Sequence, residues 1–108
     1  MVIHYQIKEN ALIARISAFK LKQPVCAIVV HKTIYLWGIN KSEFLGNESY
    51  LNHELQHLFQ YREHGTLRFL IVYLIESIVK GYYNNKFEIE ARAAEHLPRK
   101  AEYVLVED

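Results

Sequence analysis

The stretch YLNHELQHLFQYREHG, residues 50–65, decides how this chain is read. It lays His53, His57 and His64 over a ladder of leucines and ends on Gly65. Set Tyr50 at the origin of a helical wheel, at about 100° per residue. His53, Glu54, His57 and Tyr61 then fall within roughly 60° of it. Leu51, Leu55, Leu58 and Arg62 group about a third of a turn away, and Asn52, Gln56, Gln60 and Glu63 take the remaining side. The spacing predicts a helix from about Ser49 to His64 with a core face, a solvent face and a His/Glu face. An ordinary surface helix needs only the first two.

Metal chemistry accounts for the third face. Histidines at i and i+4 lie one above the other, so both imidazoles can bind one tetrahedral Zn²⁺. A glutamate at i+1 projects to the side. It is badly aimed for a ligand, yet it can reach a water at the open coordination position and take its proton as the water attacks a carbonyl. His53 and His57 are therefore the expected zinc ligands and Glu54 the expected general base. The competing reading makes His53 and His57 polar helix residues, one of them bonded to a backbone carbonyl.

A third protein ligand is expected. One route takes it from just past the histidine pair, where Gln60 and Glu63 stand, but no glycine turns the chain there. The other takes it from a later helix. The segment NNKFEIEARAAEH, residues 84–96, offers Glu88 and Glu90, about 200° apart on a helix, so only one can face the metal. Glu88 also stands three residues after Asn85, where a capping box would use the same side chain.

HELQH at 53–57 followed by FEIEAR at 87–92 resembles the gluzincin metallopeptidases. It is most similar to the membrane-embedded prenyl-protein and heat-shock peptidases, whose second motif reads roughly F-E-x-x-A-D. In size the chain resembles the minimal gluzincins (minigluzincins) and short bacterial zincin-like proteins. The resemblance covers only these two segments. It implies a zincin-like fold, a peptide or protein substrate, and Glu88 as the third zinc ligand, with Glu90 as the alternative. The family's aspartate that supports a zinc-bound histidine would fall at Arg92, and a cation cannot orient an imidazole N–H. Glu90, Glu95 or a backbone carbonyl would have to do so.

Hydrolysis also needs a donor for the developing oxyanion. Tyr82, Tyr83 and His96 are candidates beside the later helix. Thr33 to Trp37 is a candidate edge strand for an extended peptide.

The rest of the chain bounds the answer. With 108 residues, 51% of them apolar, it makes one small domain, and the formal charge of +1 gives no electrostatic case for nucleic acid. Cys26 is the single cysteine, in an apolar run, and reads as a small buried hydrophobe. No signal peptide is visible, which suggests a cytoplasmic setting. Ile3, Tyr5 and Ile7 alternate with polar residues as a strand. Asn10 is expected to cap a helix to about Leu21, with Leu12, Ile13, Ile16 and Phe19 as its core stripe. Val25 to Val30 and Thr33 to Trp37 read as a hairpin, and Glu43 to Leu45 as a helical turn. Thr66 is expected to cap a helix to about Lys80, Asn85 another to about His96, and Tyr103 to Val106 to form a last strand.

Strands first and helices later give an α+β domain, zincin-like, with a small sheet, a backing helix, the active-site helix and a C-terminal glutamate helix. The apolar run Leu67 to Val79 is too short to span a bilayer and reads as a buried helix. It carries more apolar surface than so small a domain can cover, so part of it is expected to dock a second copy or a membrane protein. Function is then zinc-dependent peptide hydrolysis. Its rivals are a non-catalytic, zinc-stabilised interaction module and a latent peptidase whose tail AEYVLVED folds across the cleft.

Overall fold

The fold is described from a computed structural model and covers residues 1–107. Asp108, the end of the acidic tail, lies outside the described residues. The chain is a single α+β domain whose four-stranded sheet runs in the order β2-β3-β1-β4.

Strand β1 (Val2–Lys8) buries Ile3, Tyr5 and Ile7, as their alternation predicts. Helix α1 (Leu12–Leu21) follows, but Asn10 does not cap it. Ala11 occupies the cap, and Asn10 takes a left-handed φ of 53°, which asparagine tolerates. The expected core stripe is also corrected. Ala14 and Ala18 are buried, whereas Leu12, Ile13, Ile16 and Phe19 are exposed. The helix lies on β2 and β3, and its alanines let the backbone come close to the sheet. Arg15 stacks over Trp37, 5.2 Å from the ring centroid.

Strands β2 (Cys26–Val30) and β3 (Thr33–Trp37) form the expected antiparallel hairpin, with Val30 opposite Thr33 across a two-residue turn. His31 in that turn takes a φ of 58°. Strand β3 then pairs parallel with β1, which also pairs parallel with β4 (Glu102–Leu105). This overturns the edge-strand reading of Thr33 to Trp37. Strand β3 is interior, and the free edges are β2 and β4. The tail segment likewise belongs to the sheet as β4 and does not fold across a cleft.

Helix α2 (Lys41–Gly46) is closed by a capping box between Asn40 and Glu43. Helix α3 (Glu48–His64) starts at Asn47, whose side chain accepts from the Tyr50 N–H at 3.2 Å. Leu51, Leu55 and Leu58 pack on the sheet face formed by Ile3, Tyr5, Ile7, Val29, Ile34 and Leu36. The anticipated solvent side of α3 is buried too. Asn52, Gln56 and Gln60 are all covered, because α5 (Lys86–Ala94) packs beside α3.

Between them runs α4 (Thr66–Lys80). Gly65, with a φ of 83°, ends α3 and serves as the N-cap of α4, so Thr66 is its first residue rather than its cap. Phe69 points inward, 4.4 Å from the Tyr61 ring and 4.9 Å from the Phe87 ring between centroids. The outward face is corrected from buried to exposed, since Leu67, Leu70, Ile71, Leu74, Ile75, Ile78 and Val79 all face outward in the single chain. Asn85 caps α5, accepting from the Phe87 N–H at 2.8 Å. Its amide donates to the Tyr73 carbonyl and the Ser77 hydroxyl, which fixes the start of α5 to α4. No helix among the described residues is long and apolar enough to cross a membrane.

Candidate metal centre

Three elements converge on one point. Helix α3 delivers His53 and His57 one turn apart, with ring centroids 5.2 Å from each other. Helix α5 delivers Glu88 from its first turn, and α4 delivers Tyr73. The Glu88 carboxylate lies between the two imidazoles, Oε1 at 3.1 Å from His53 Nε2 and Oε2 at 3.1 Å from His57 Nε2. One ligand atom from each of His53, His57 and Glu88 lies within 4.8 Å of the others, so the group can hold a metal ion.

Glu88 is therefore not spent on a capping box. Asn85 caps α5 alone, and the Glu88 side chain turns inward, where it is 2% exposed. Tyr73 donates its hydroxyl to Glu88 Oε2. Burial pushes the Glu88 carboxyl up, but hydrogen bonds from His53 and His57 and the His57 charge outweigh it and hold it well below the usual carboxylate range.

Each imidazole is braced from behind. His53 Nδ1 lies 2.8 Å from Glu95 Oε2, and His57 Nδ1 lies 2.8 Å from Gln60 Oε1. The Gln60 amide cannot turn round, because its Nε2 donates to the Phe87 carbonyl at 3.1 Å and to Glu90 Oε1 at 2.9 Å. Gln60 Oε1 must then accept from His57 Nδ1–H. In the same way the Glu95 carboxylate accepts the hydrogen bond of His53 Nδ1–H. Both Nδ1 atoms are thus fixed as donors, which leaves both Nε2 atoms facing Glu88 as the available ligand positions.

These contacts settle several expectations. Glu95 supplies the support that Arg92 cannot. The Arg92 guanidinium stacks on the Tyr83 ring at 4.0 Å and donates to the Tyr83 carbonyl at 2.6 Å. Glu90 stands outside the His53, His57 and Glu88 group and acts one step back, through Gln60 on His57. Glu63 pairs with His64 at 3.6 Å. Of the three candidate oxyanion donors, Tyr82 is brought near the cluster, and the Glu88 charge adds to burial in raising its hydroxyl pKa. Tyr83 and His96 are exposed, outside the His53, His57 and Glu88 group.

Sequence reasoning missed Tyr73 and the bracing role of Gln60. A signal for Tyr73 existed, since it is the single tyrosine in the apolar run Leu67 to Val79. Gln60 gave none, because an amide on a helix reads as solvent-facing until its neighbour is known.

Glu54 is buried beside the cluster. Burial raises its carboxyl, His57 and His53 pull it back, and the balance holds it at about 7. Burial lowers His53, but the Glu88 hydrogen bond, the Glu54 charge and the Glu95 bond raise it to about 9. His57 is likewise raised on balance, by Glu88 against burial. Strand β2, a free edge of the sheet, packs against α3, and the Glu54 charge adds to burial in raising the Cys26 thiol. Comparison of the chain with protein-family models, curated proteins and solved structures returned no match.

Proposed function

We propose that this chain is a zinc-dependent peptidase of gluzincin type, built on a zincin-like domain. The observation that carries the reading is the convergence of two imidazole Nε2 atoms and one carboxylate, with both Nδ1 atoms already tied to acceptors. Such a donor set suits zinc, which takes imidazole nitrogen and carboxylate oxygen. His53, His57 and Glu88 would hold the ion. When bound, it supplies Lewis acidity that polarises a carbonyl and makes water more acidic near neutral pH.

The chain's own residues do the rest. Glu54, buried beside the two histidines, would take a proton from the attacking water and return it to the leaving amine. Of the candidate donors to a developing oxyanion, Tyr82 is the one whose hydroxyl feels the Glu88 charge, and it would take that role. An extended peptide would lie along β2, the free sheet edge beside α3. The rival interaction module requires a closed site with four protein ligands. The group among the described residues offers three, which favours the enzyme.

Metal analysis of the purified chain beside Glu54→Gln, with a broad peptide-library assay on both, tests this. One zinc per chain in both, and cleavage reduced about 10²- to 10⁴-fold in the variant, is the expected result. Stoichiometric zinc without cleavage in the parent refutes the peptidase. No stoichiometric zinc in either refutes the metal centre.

A further inference from the structure

Helix α4 is built asymmetrically. Its inner face sets Phe69 into the core, Tyr73 against Glu88 and Ser77 against Asn85. Its outer face is a continuous aliphatic surface of Leu67, Leu70, Ile71, Leu74, Ile75 and Ile78, extended by Val79 at the end. These residues are between 39% and 75% exposed. On a wheel they span about half the circumference, and Arg68 is the one charge among them.

Their fractional exposures amount to roughly 800 Å² of aliphatic surface. The largest apolar patch on a typical monomer is about 300–600 Å². A standard protein interface takes about 800 Å² from each partner. One 15-residue helix, about 22 Å long, therefore carries a full partner's share by itself.

We propose that α4 is the interface of a homodimer, in which the outer face packs antiparallel on α4 of a second copy about a two-fold axis. The surface suits itself as a partner. Apart from Arg68 near its start it is aliphatic from end to end, so an antiparallel copy meets apolar surface along most of its length. Antiparallel packing also sets opposite helix dipoles side by side. The rim lacks the basic excess that an anionic membrane surface would call for. Glu76 pairs with Lys80 at 3.3 Å, and the whole chain carries only +1. The exposed stripe of α1 is a weaker candidate, because Leu12, Ile13, Ile16 and Phe19 make a smaller apolar surface than the α4 face. The inference does not depend on the metal centre.

The test is the solution mass of the full chain, by light scattering on a sizing column over a dilution series. The expected mass is twice 12.8 kDa. Ile71→Glu and Ile78→Glu should each weaken association more than a hundredfold and give monomers. Their circular dichroism and melting temperature should match the parent monomer's, because these side chains are 51% and 75% exposed in the single chain. Leu74→Cys, mid-helix and 60% exposed, should form a covalent dimer on mild oxidation, with Cys26 buried and silent. A parent chain that stays at 12.8 kDa in the most concentrated samples overturns the proposal. So does a dimer that persists in both glutamate variants, a larger oligomer, or a monomer that instead partitions onto phosphatidylcholine vesicles.

Discussion

Replacing Gln60 by leucine tests the site at the point where its geometry is most specific. Gln60 is 1% exposed and ligates nothing. Its carbonyl accepts His57 Nδ1–H at 2.8 Å, and its amide is anchored on the Phe87 carbonyl and Glu90. In Gln60→Leu the shape is largely kept, but His57 Nδ1–H loses its acceptor. The ring then favours the other tautomer, with its proton on Nε2 toward Glu88 and no lone pair there for a metal. Restoring the metal-binding tautomer leaves a buried N–H unpaired, at about 1–3 kcal/mol. That converts to roughly 10- to 100-fold weaker zinc binding, the range seen when outer partners of metal ligands are removed.

The assay is zinc competition against a chromophoric chelator, made on folded protein at low temperature, because three lost hydrogen bonds also reduce stability by about 3 kcal/mol. Glu90→Ala is the paired control. It removes one of the two anchors of the Gln60 amide and should weaken binding less than about threefold, with the Phe87 carbonyl still in place. Equal zinc affinity in Gln60→Leu and the parent would refute the tautomer argument. Loss of stoichiometric zinc in Glu90→Ala but not in Glu88→Ala would show that the wrong carboxylate had been assigned.

Other measurements follow from the same cluster. Tyr73→Phe keeps the ring contacts to Phe69 and Phe87 while removing the donor to Glu88, so zinc affinity should fall about tenfold with little change in fold; an unchanged affinity would exclude Tyr73 from the site. For the metal-free protein, held in chelator, His53 and Glu54 both have folded pKa values above their ordinary ones, about 9 against 6.5 and about 7 against 4.5. A raised group stabilises fully below its unfolded pKa and ceases to do so as pH rises through the folded one. Melting temperature should therefore fall between about pH 5 and 9, and a flat profile would contradict the paired imidazoles. Chelation should lower the melting temperature without loss of far-UV dichroism, since the α3–α5 packing includes bonds that need no ion, such as Asn52 to the Glu95 carbonyl and Gln60 to the Phe87 carbonyl.

The α3 helix, its close at Gly65 and its His/Glu stripe were legible because they depend on local spacing, whereas its cap at Asn47 reads as loop in the sequence. The hairpin was legible too, from β-branched runs either side of His31 and Lys32. What failed was the side of each helix that meets a distant segment. Asn52, Gln56 and Gln60 carry the polarity of a solvent face, yet all three are buried where α5 packs beside α3, and the Asn52 and Gln60 amides donate to the Glu95 and Phe87 carbonyls. Conversely, Leu12, Ile16 and Phe19 carry the hydrophobicity of a core stripe, yet Ala14 and Ala18 meet the sheet. Polarity along one helix states how much apolar surface it has, and the partner's backbone determines which surface is covered. The order of strands was hidden for the same reason, since the β1–β3 and β1–β4 pairings join segments far apart in sequence.

The charge on the cluster explains how so polar a group is accommodated in the core. With both Nδ1 atoms donating backwards and both Nε2 atoms facing a carboxylate, each ring satisfies its neighbours best when both nitrogens carry protons. Both imidazole pKa values are accordingly raised and that of Glu88 lowered. With both rings protonated, two imidazolium rings and one carboxylate sum to +1. Exchanging the two Nε2 protons for one divalent ion leaves that sum unchanged, along with the Nδ1 donors, the Gln60 amide and the Glu95 carboxylate. The surrounding helices would therefore see the same charge and nearly the same bonds whether protons or a dication occupied the centre. A monovalent ion would lower the sum by one, and a trivalent ion would raise it by one, each against a dielectric that penalises imbalance. Of the ions this group could hold, a dication is therefore the one that keeps the charge the cluster already carries, with the Nδ1 donors still tied to Gln60 and Glu95.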